Sequence, residues 1–241
     1  MFEPLTIISC KDGTIKDLAG KTNWEIIGYQ DRIYVDMTDG KFGNGCLHLY
    51  RTTDNSHNPP HTYMQSIRDD MWWLEDKDFT VSLWFKFITN EFNDYNSLIS
   101  MSGFPSNGIY LKINSDYELD WAIGDGSRWV YELNNSYFDR SSFFNNWHHV
   151  AMVRKGTRLL IFIDGIKTDE DNIDTYSLVN TKANLLIGSN TSIGGLWDAM
   201  LDDIEIIKEY AMWDSNFSVP TKQLYKYIIN NRLLFNLKVG D

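Results

Sequence analysis

Along Phe79–Phe87 apolar and polar residues alternate: Phe79, Val81, Leu83, Phe85 and Phe87 fall on one side of an extended chain, and Thr80, Ser82, Trp84 and Lys86 on the other. This period of two predicts a strand with one face turned to a core. Further runs rich in β-branched and aromatic residues predict strands at Gly108–Ile113, Tyr117–Ile123, Trp147–Arg154, Leu159–Ile163, Asn184–Gly188 and Met200–Ile207. Turn chemistry separates them: Asn114-Ser115-Asp116, Lys155-Gly156 and Asp164-Gly165 supply the residues that tight reversals need, which suits antiparallel neighbours. Many short strands without alternating helices predict an all-β sandwich and argue against a parallel α/β fold. One helix is predicted from about Ser218, an N-cap residue, with Pro220 in the first turn and Leu224, Tyr225, Ile228, Ile229 and Leu233 at helical spacing. No linker composition or fixed-period repeat interrupts the 241 residues, so a single domain over 1–241 with a helical extension from about 218 is expected.

Composition narrows the functions. With 43% hydrophobic and 15% aromatic residues the chain can build a large core. Its 22 basic and 33 acidic residues give a net charge of −11, which repels phosphate backbones and anionic lipid. The apolar runs are far shorter than the ~18 residues a membrane-spanning helix requires. The start Met1-Phe2-Glu3-Pro4-Leu5 lacks the basic and apolar regions of a secretory leader, so the chain is expected either to be mature already or to be used without export by that route. Cys10 and Cys46 then read as reduced core residues in preference to a disulfide.

Taken in order, Gly13–Gly20, Gly40–Leu47 and Phe79–Lys86, followed by Trp147–Gly156 running into Leu160–Gly165, Leu185–Gly188 and Met200–Ile206, resemble the laminin G-like, concanavalin A-like lectin and glucanase superfamily. The resemblance spans about Gly13 to Trp213 and implies an antiparallel jelly-roll sandwich. Ala199 departs from it, standing where the family usually has Gly, and the C-terminal extension is longer than the usual tail. Because the superfamily holds lectins, adhesion modules, glycoside hydrolases and structural domains, function has to come from the site.

A glucanase-type enzyme needs carboxylates at alternate positions of one strand, about 5–5.5 Å apart for a retaining mechanism. Asp203 with Glu205, and Glu118 with Asp120, meet the spacing, although Leu201 occupies the place of a third member; ordinary polar strand faces would look the same. Trp121 beside the second pair, the Trp72-Trp73 doublet and Trp197 are candidate ligand platforms, with buried loop anchors as the alternative. The resemblance also implies calcium at a sandwich edge, for which Asp17 and Asp202 occupy the matching positions; local hydrogen bonding to backbone amides is the competing role. His148 and His149 are neighbours on a strand and face opposite ways, so they cannot share an ion. Neither a phosphate-binding glycine loop nor a Gly-x-Ser-x-Gly elbow is present in the sequence.

The leading expectation is therefore a non-enzymatic recognition, adhesion or structural module that contacts a glycan or a protein surface. A glycoside hydrolase or polysaccharide lyase is the alternative. A lone module without an export leader suits a virion component, such as a phage tail or head-surface protein, with other virion subunits as neighbours and a homo-oligomer as its form.

Overall fold

The computed structural model describes residues 3–43, 45–50, 62–67, 70–89, 96–101, 107–189 and 198–223. Sixteen strands and one short 3-10 turn make up the regular structure among them. In chain order they are β1 (Glu3–Ser9), β2 (Lys16–Asp17), β3 (Trp24–Ile27), β4 (Ile33–Asp36), β5 (Cys46–Leu49), β6 (Tyr63–Ser66), β7 (Phe79–Phe87) and β8 (Asn96–Met101). The second half adds β9 (Asn107–Ile113), β10 (Glu118–Asp125), β11 (Trp129–Tyr137), β12 (His148–Lys155), β13 (Arg158–Ile163), β14 (Ile166–Asn172), β15 (Leu185–Ile187) and β16 (Ala199–Lys208). Two antiparallel sheets form from these strands. The first runs β14-β13-β12-β7-β16-β1-β2, with β5 also on β16 and β4 on β5; the second runs β11-β10-β9-β8-β15-β6-β3.

The sheets face each other through the sides that alternation predicts. Phe79, Val81, Leu83, Phe85 and Phe87 of β7 join Ile109, Leu111 and Ile113 of β9 and Leu119, Trp121 and Ile123 of β10 in one core. Its centre is aromatic: Phe85 meets Phe138 edge-on at 5.4 Å, and Phe87 stacks on Phe143 at 5.5 Å. The Asp164-Gly165 reversal between β13 and β14 has left-handed backbone at both residues, φ +49° and +81°, as a two-residue hairpin of this hand requires.

The other side of β7 is not solvated. Thr80, Ser82 and Trp84 are as buried as their core-facing neighbours: residues 209–223 cross the outside of the first sheet as a strap, and Lys41 and Phe42 lie against the Trp84 ring. Ala211, Trp213 and Phe217 pack on Ala151, Val153, Leu160 and Phe162, with the rings of Trp213 and Phe217 parallel at 4.0 Å. Met212 covers Ile7 and Ile207. Polar ties hold the strap down: Thr80 Oγ1 donates to the Tyr210 carbonyl (2.9 Å) and accepts from the Met212 amide (3.0 Å), Phe217 N donates to Gly165 O (2.8 Å), and Lys155 pairs with Asp214. The helix predicted from about Ser218 is not found over 218–223, which is irregular; its remaining residues, 224–241, lie outside the described residues. Phe217 and Val219 lie against Gly165 of the β13–β14 reversal, which holds this part of the chain on the sheet.

Gly165 is where the strap comes closest. A Cβ there would overlap the Phe217 carbonyl, and the φ of +81° is already unfavourable for any other residue. Gly165→Ala is expected to lower stability by about 2–3 kcal/mol. Urea denaturation followed by tryptophan fluorescence measures it; an unchanged midpoint would remove the strap contact from this account.

Candidate functional site

The outer face of the second sheet carries a groove across β9, β10 and β11. Alternation sends Ile109, Leu111, Leu119, Trp121 and Ile123 inward, which leaves Tyr110, Lys112, Asp120 and Ala122 on the outside, with Glu132 opposite Ala122. Tyr110, Lys112, Asp120, Trp129, Glu132 and Asn134 line a cavity of about 210 Å³. Tyr110 and Trp129 stack, with ring centres 5.6 Å apart and planes 19° from parallel. Lys112 Nζ lies 2.9 Å from Asp120 Oδ2. Burial raises the pKa of Asp120; the Lys112 ammonium opposes the shift, and the nearby Glu118 and Glu132 carboxylates add to it. With Tyr110 only 6% exposed, it is the exposed part of the Trp129 ring, beside an ion pair, a carboxylate and an amide, that can stack on one face of a sugar ring while the polar groups exchange hydrogen bonds with its hydroxyls.

Of the residues singled out from sequence, Glu118 and Asp120 lie on this face. Glu118 Oε2 accepts from Asn114 Nδ2 at 2.8 Å, at the rim. Trp121 shares the cavity wall only through its place on β10: its side chain is 1% exposed and belongs to the core, because it alternates with Asp120. Trp72 is also a core anchor, donating from Nε1 to Ser66 Oγ at 3.0 Å, whereas Trp73 is 42% exposed and donates to the Leu178 carbonyl at 2.5 Å. Trp197 lies outside the described residues. The aromatic pair that builds the groove, Tyr110 and Trp129, was not singled out from sequence. The apolar partners Ile109 and Leu111 already place Tyr110 outward, but its contact with Trp129 depends on how β9, β10 and β11 are paired.

Asp202, Asp203 and Glu205 are in a different setting. Register pairs Asp202 with Trp84 and Glu205 with Ser82, so two residues of β16, Asp203 and Ile204, oppose Leu83 alone. This bulge, with Asp203 at φ +51°, breaks the alternation that placed Asp203 and Glu205 on one face; Asp202 and Glu205 share the strap side instead. All three are at most 3% exposed. Burial pushes the Asp202 carboxyl up to about 6 despite the amides of Asp203, Lys41 and Phe42 and the side chain of Gln223. Glu205, with no hydrogen-bond partner for either oxygen among the described residues, is raised well above the ordinary range by burial and then by Asp203. Both carboxyls of the proposed pair are thus buried side chains, Asp203 2% and Glu205 0% exposed.

Asp17 and Asp202, the positions the resemblance implies for calcium, stand on β2 and β16. Asp17 spends its oxygens on four donors: the Thr6 hydroxyl (3.0 Å), the amides of Ile7 (3.1 Å) and Ala19 (3.0 Å), and the Trp24 indole (3.4 Å). It thereby fastens β2 to β1 and ties it to the edge of the second sheet. Among the described residues no group of three or more His, Cys, Asp or Glu side chains is arranged to hold a metal ion. Cys10 and Cys46 are free, buried thiols; burial, with the Asp202 charge next, pushes Cys10 up to about 12 and Cys46 higher still. His148 and His149 do face opposite ways. His148 packs against Phe143 inside, while His149 sits between Trp84 and Trp213 outside, its pKa lowered to about 3 by burial.

Two stacked antiparallel sheets define a β-sandwich of the concanavalin A-like class. Residues 60–212 match the Laminin_G_3 family model, described as the concanavalin A-like lectin/glucanases superfamily, and the chain belongs to that family. Solved structures of similar fold include the binding domain of Paraclostridial Mosquitocidal Protein 1, with a TM-score of 0.63 at 17% identity over 88% of this chain and 50% of that one. The binding domain of Botulinum neurotoxin DC is similar both in complex with rat synaptotagmin II (TM-score 0.62, 14% identity, 88% of this chain and 49% of that one) and in complex with SialylT (TM-score 0.62, 15% identity, the same shares). This chain thus spans about half the length of the chains it matches, and at these identities the likeness is one of fold. No curated protein matches the sequence.

Proposed function

We propose that this protein is a recognition module that binds a glycan in the groove of the second sheet. The stacked Tyr110–Trp129 platform beside the Lys112–Asp120 pair carries this reading, since it joins ring-stacking area to fixed donors and acceptors. The neighbours of similar fold are binding domains, one of them in complex with SialylT, which agrees in kind. Carried on a virion or other extracellular surface, such a module would hold its bearer to a sugar coat, and a homo-oligomer would convert weak single-site contacts into avidity.

The test is a glycan array followed by calorimetry on the best ligand. Trp129→Ala is expected to weaken binding about tenfold, the loss of one stacking face. A blank array for the wild-type protein, or undiminished binding by the variant, would refute the reading.

One observation favours a second reading, hydrolysis: Asp120 sits among Glu118 and Glu132 with a raised pKa, as a general acid would. Its engagement by Lys112, and that of Glu118 by Asn114, suits the holding of hydroxyls better than proton transfer. Reducing-sugar release abolished by Asp120→Asn would decide for the enzyme.

A further inference from the structure

A second polar and aromatic cluster lies on the outside of the first sheet. Ile33, Leu47 and Leu49 turn into the core, so Tyr34 and Asp36 of β4, together with His48 of β5 and Tyr50 just beyond it, face outward. Tyr34 is directly opposite His48 in register, and their ring centres are 4.9 Å apart; Tyr50 meets the same imidazole edge-on at 6.1 Å. The imidazole is fixed at both nitrogens. Asp198 Oδ1 lies 2.7 Å from Nε2, and the Tyr34 hydroxyl lies 2.7 Å from Nδ1. Both contacts are hydrogen bonds, so the ring is held whichever nitrogen carries the proton.

This chain has the connectivity of a nucleophile, base and orienting acid, but its electrostatics oppose catalysis. Burial and the Asp36 and Asp198 charges raise the pKa of Tyr34, so the phenol stays neutral. What the hydrogen bonds secure is a rigid ring. Tyr34 and Tyr50 are nevertheless 43% and 44% exposed, a large outlay of aromatic surface for a side chain locked in place.

Among the described residues the acidic groups at the rings are Asp36 and Asp198, while Arg32, whose carbonyl accepts from the Tyr50 amide, sets its guanidinium over Tyr29, 4.7 Å from the ring centre. Asp36 is held ionised by the Thr38 amide and hydroxyl, both at 2.7 Å, and its second oxygen lies 3.9 Å from His48 Nδ1. Neither Asp36 nor Asp198 pairs with a lysine or arginine among the described residues, and Lys86, on the outer side of β7, is taken by Asp39. Tyrosine faces carry the negative end of the ring quadrupole, so rings and carboxylates attract the same class of group. We propose that Tyr34, Tyr50 and Asp36 form a docking site for an arginine- or lysine-bearing peptide segment of a protein partner. The planar guanidinium fits best, since it stacks on a ring while bonding a carboxylate. This site is on the opposite sheet from the glycan groove and is independent of it.

Fluorescence anisotropy with a labelled hexapeptide of alternating Arg and Ser tests the assignment on the full chain. Binding is expected at low salt, to weaken as salt is raised, and to be missing for the matching Glu-Ser peptide. Tyr34→Ala with Tyr50→Ala should reduce affinity about tenfold, and Asp36→Asn, which keeps an oxygen for the Thr38 amide and hydroxyl, about threefold. Asp171→Asn with Asp174→Asn, which remove two charges from the far edge of the same sheet, should leave it unchanged. If the peptide fails to bind, or if the remote pair of substitutions weakens binding as much as the tyrosine pair, the attraction belongs to the net charge and the site does not exist.

Discussion

Asp202→Asn is expected to stabilise the protein at pH 8 by about 3 kcal/mol, which corresponds to a rise of roughly 6–12 °C in melting temperature. The folded chain holds the Asp202 proton with a pKa of about 6, against 3.8 for an unburied aspartate. A carboxyl whose folded pKa is raised adds stability that is complete below the unfolded value and lost as pH climbs through the folded one. At pH 8 the wild-type protein therefore buries a charge that the asparagine variant does not have, and near pH 3.5 the two proteins converge. Glu205→Gln should act in the same direction, since its carboxyl is fully buried and raised further by Asp203. Urea denaturation of both variants from pH 3.5 to 8.5 measures the difference from wild type, which cancels every other titrating group. A gap that stays constant across that range would show that these carboxylates are not buried as described.

The second large effect concerns Arg154. Its side chain is 1% exposed at the end of the core and donates to three carbonyls: Gly156 at 3.1 Å, Glu75 at 3.2 Å and Tyr176 at 2.6 Å. It thus joins the turn after β12 to two loops that are remote in sequence and already linked to each other by Leu178 N to Glu75 O (3.0 Å) and by the Trp73 indole to Leu178 O. Burial lowers the guanidinium pKa, with Asp76 and Asp78 opposing, yet the group stays charged. Arg154→Met keeps the volume and strands three buried acceptors, at a cost of about 3 kcal/mol or more. Loss of less than about 1 kcal/mol in equilibrium unfolding would mean that water replaces the guanidinium without difficulty.

These two sites show how the sandwich divides its labour. The interior between the sheets is held by aromatic and aliphatic packing, and the strap turns the outside of the first sheet into a second, smaller interior. The strap covers the β12–β13 part of that face and leaves the groove of the second sheet and, beyond the strap on the first sheet, the Tyr34–Tyr50 patch as the outward-facing sites described. Both are built on strands rather than loops, so their side chains are held by the same pairing that forms the core.

The period-two runs at Phe79–Phe87, Gly108–Ile113 and Trp147–Arg154, with the Asp164-Gly165 reversal, determined the sandwich from sequence alone, because alternation and turn chemistry are local properties of the chain. They also showed that Glu118 and Asp120 share a face and that His148 and His149 do not. What covers a face is not local. The strap over Thr80, the bulge that separates Asp203 from Glu205, and the inward turn of Trp121 were settled by packing and register. The Tyr110–Trp129 stack crosses two strand pairings, and His48 meets Asp198 across 150 residues. Only the tertiary structure brings such groups together, since side-chain direction is set by neighbouring residues and side-chain company by distant ones.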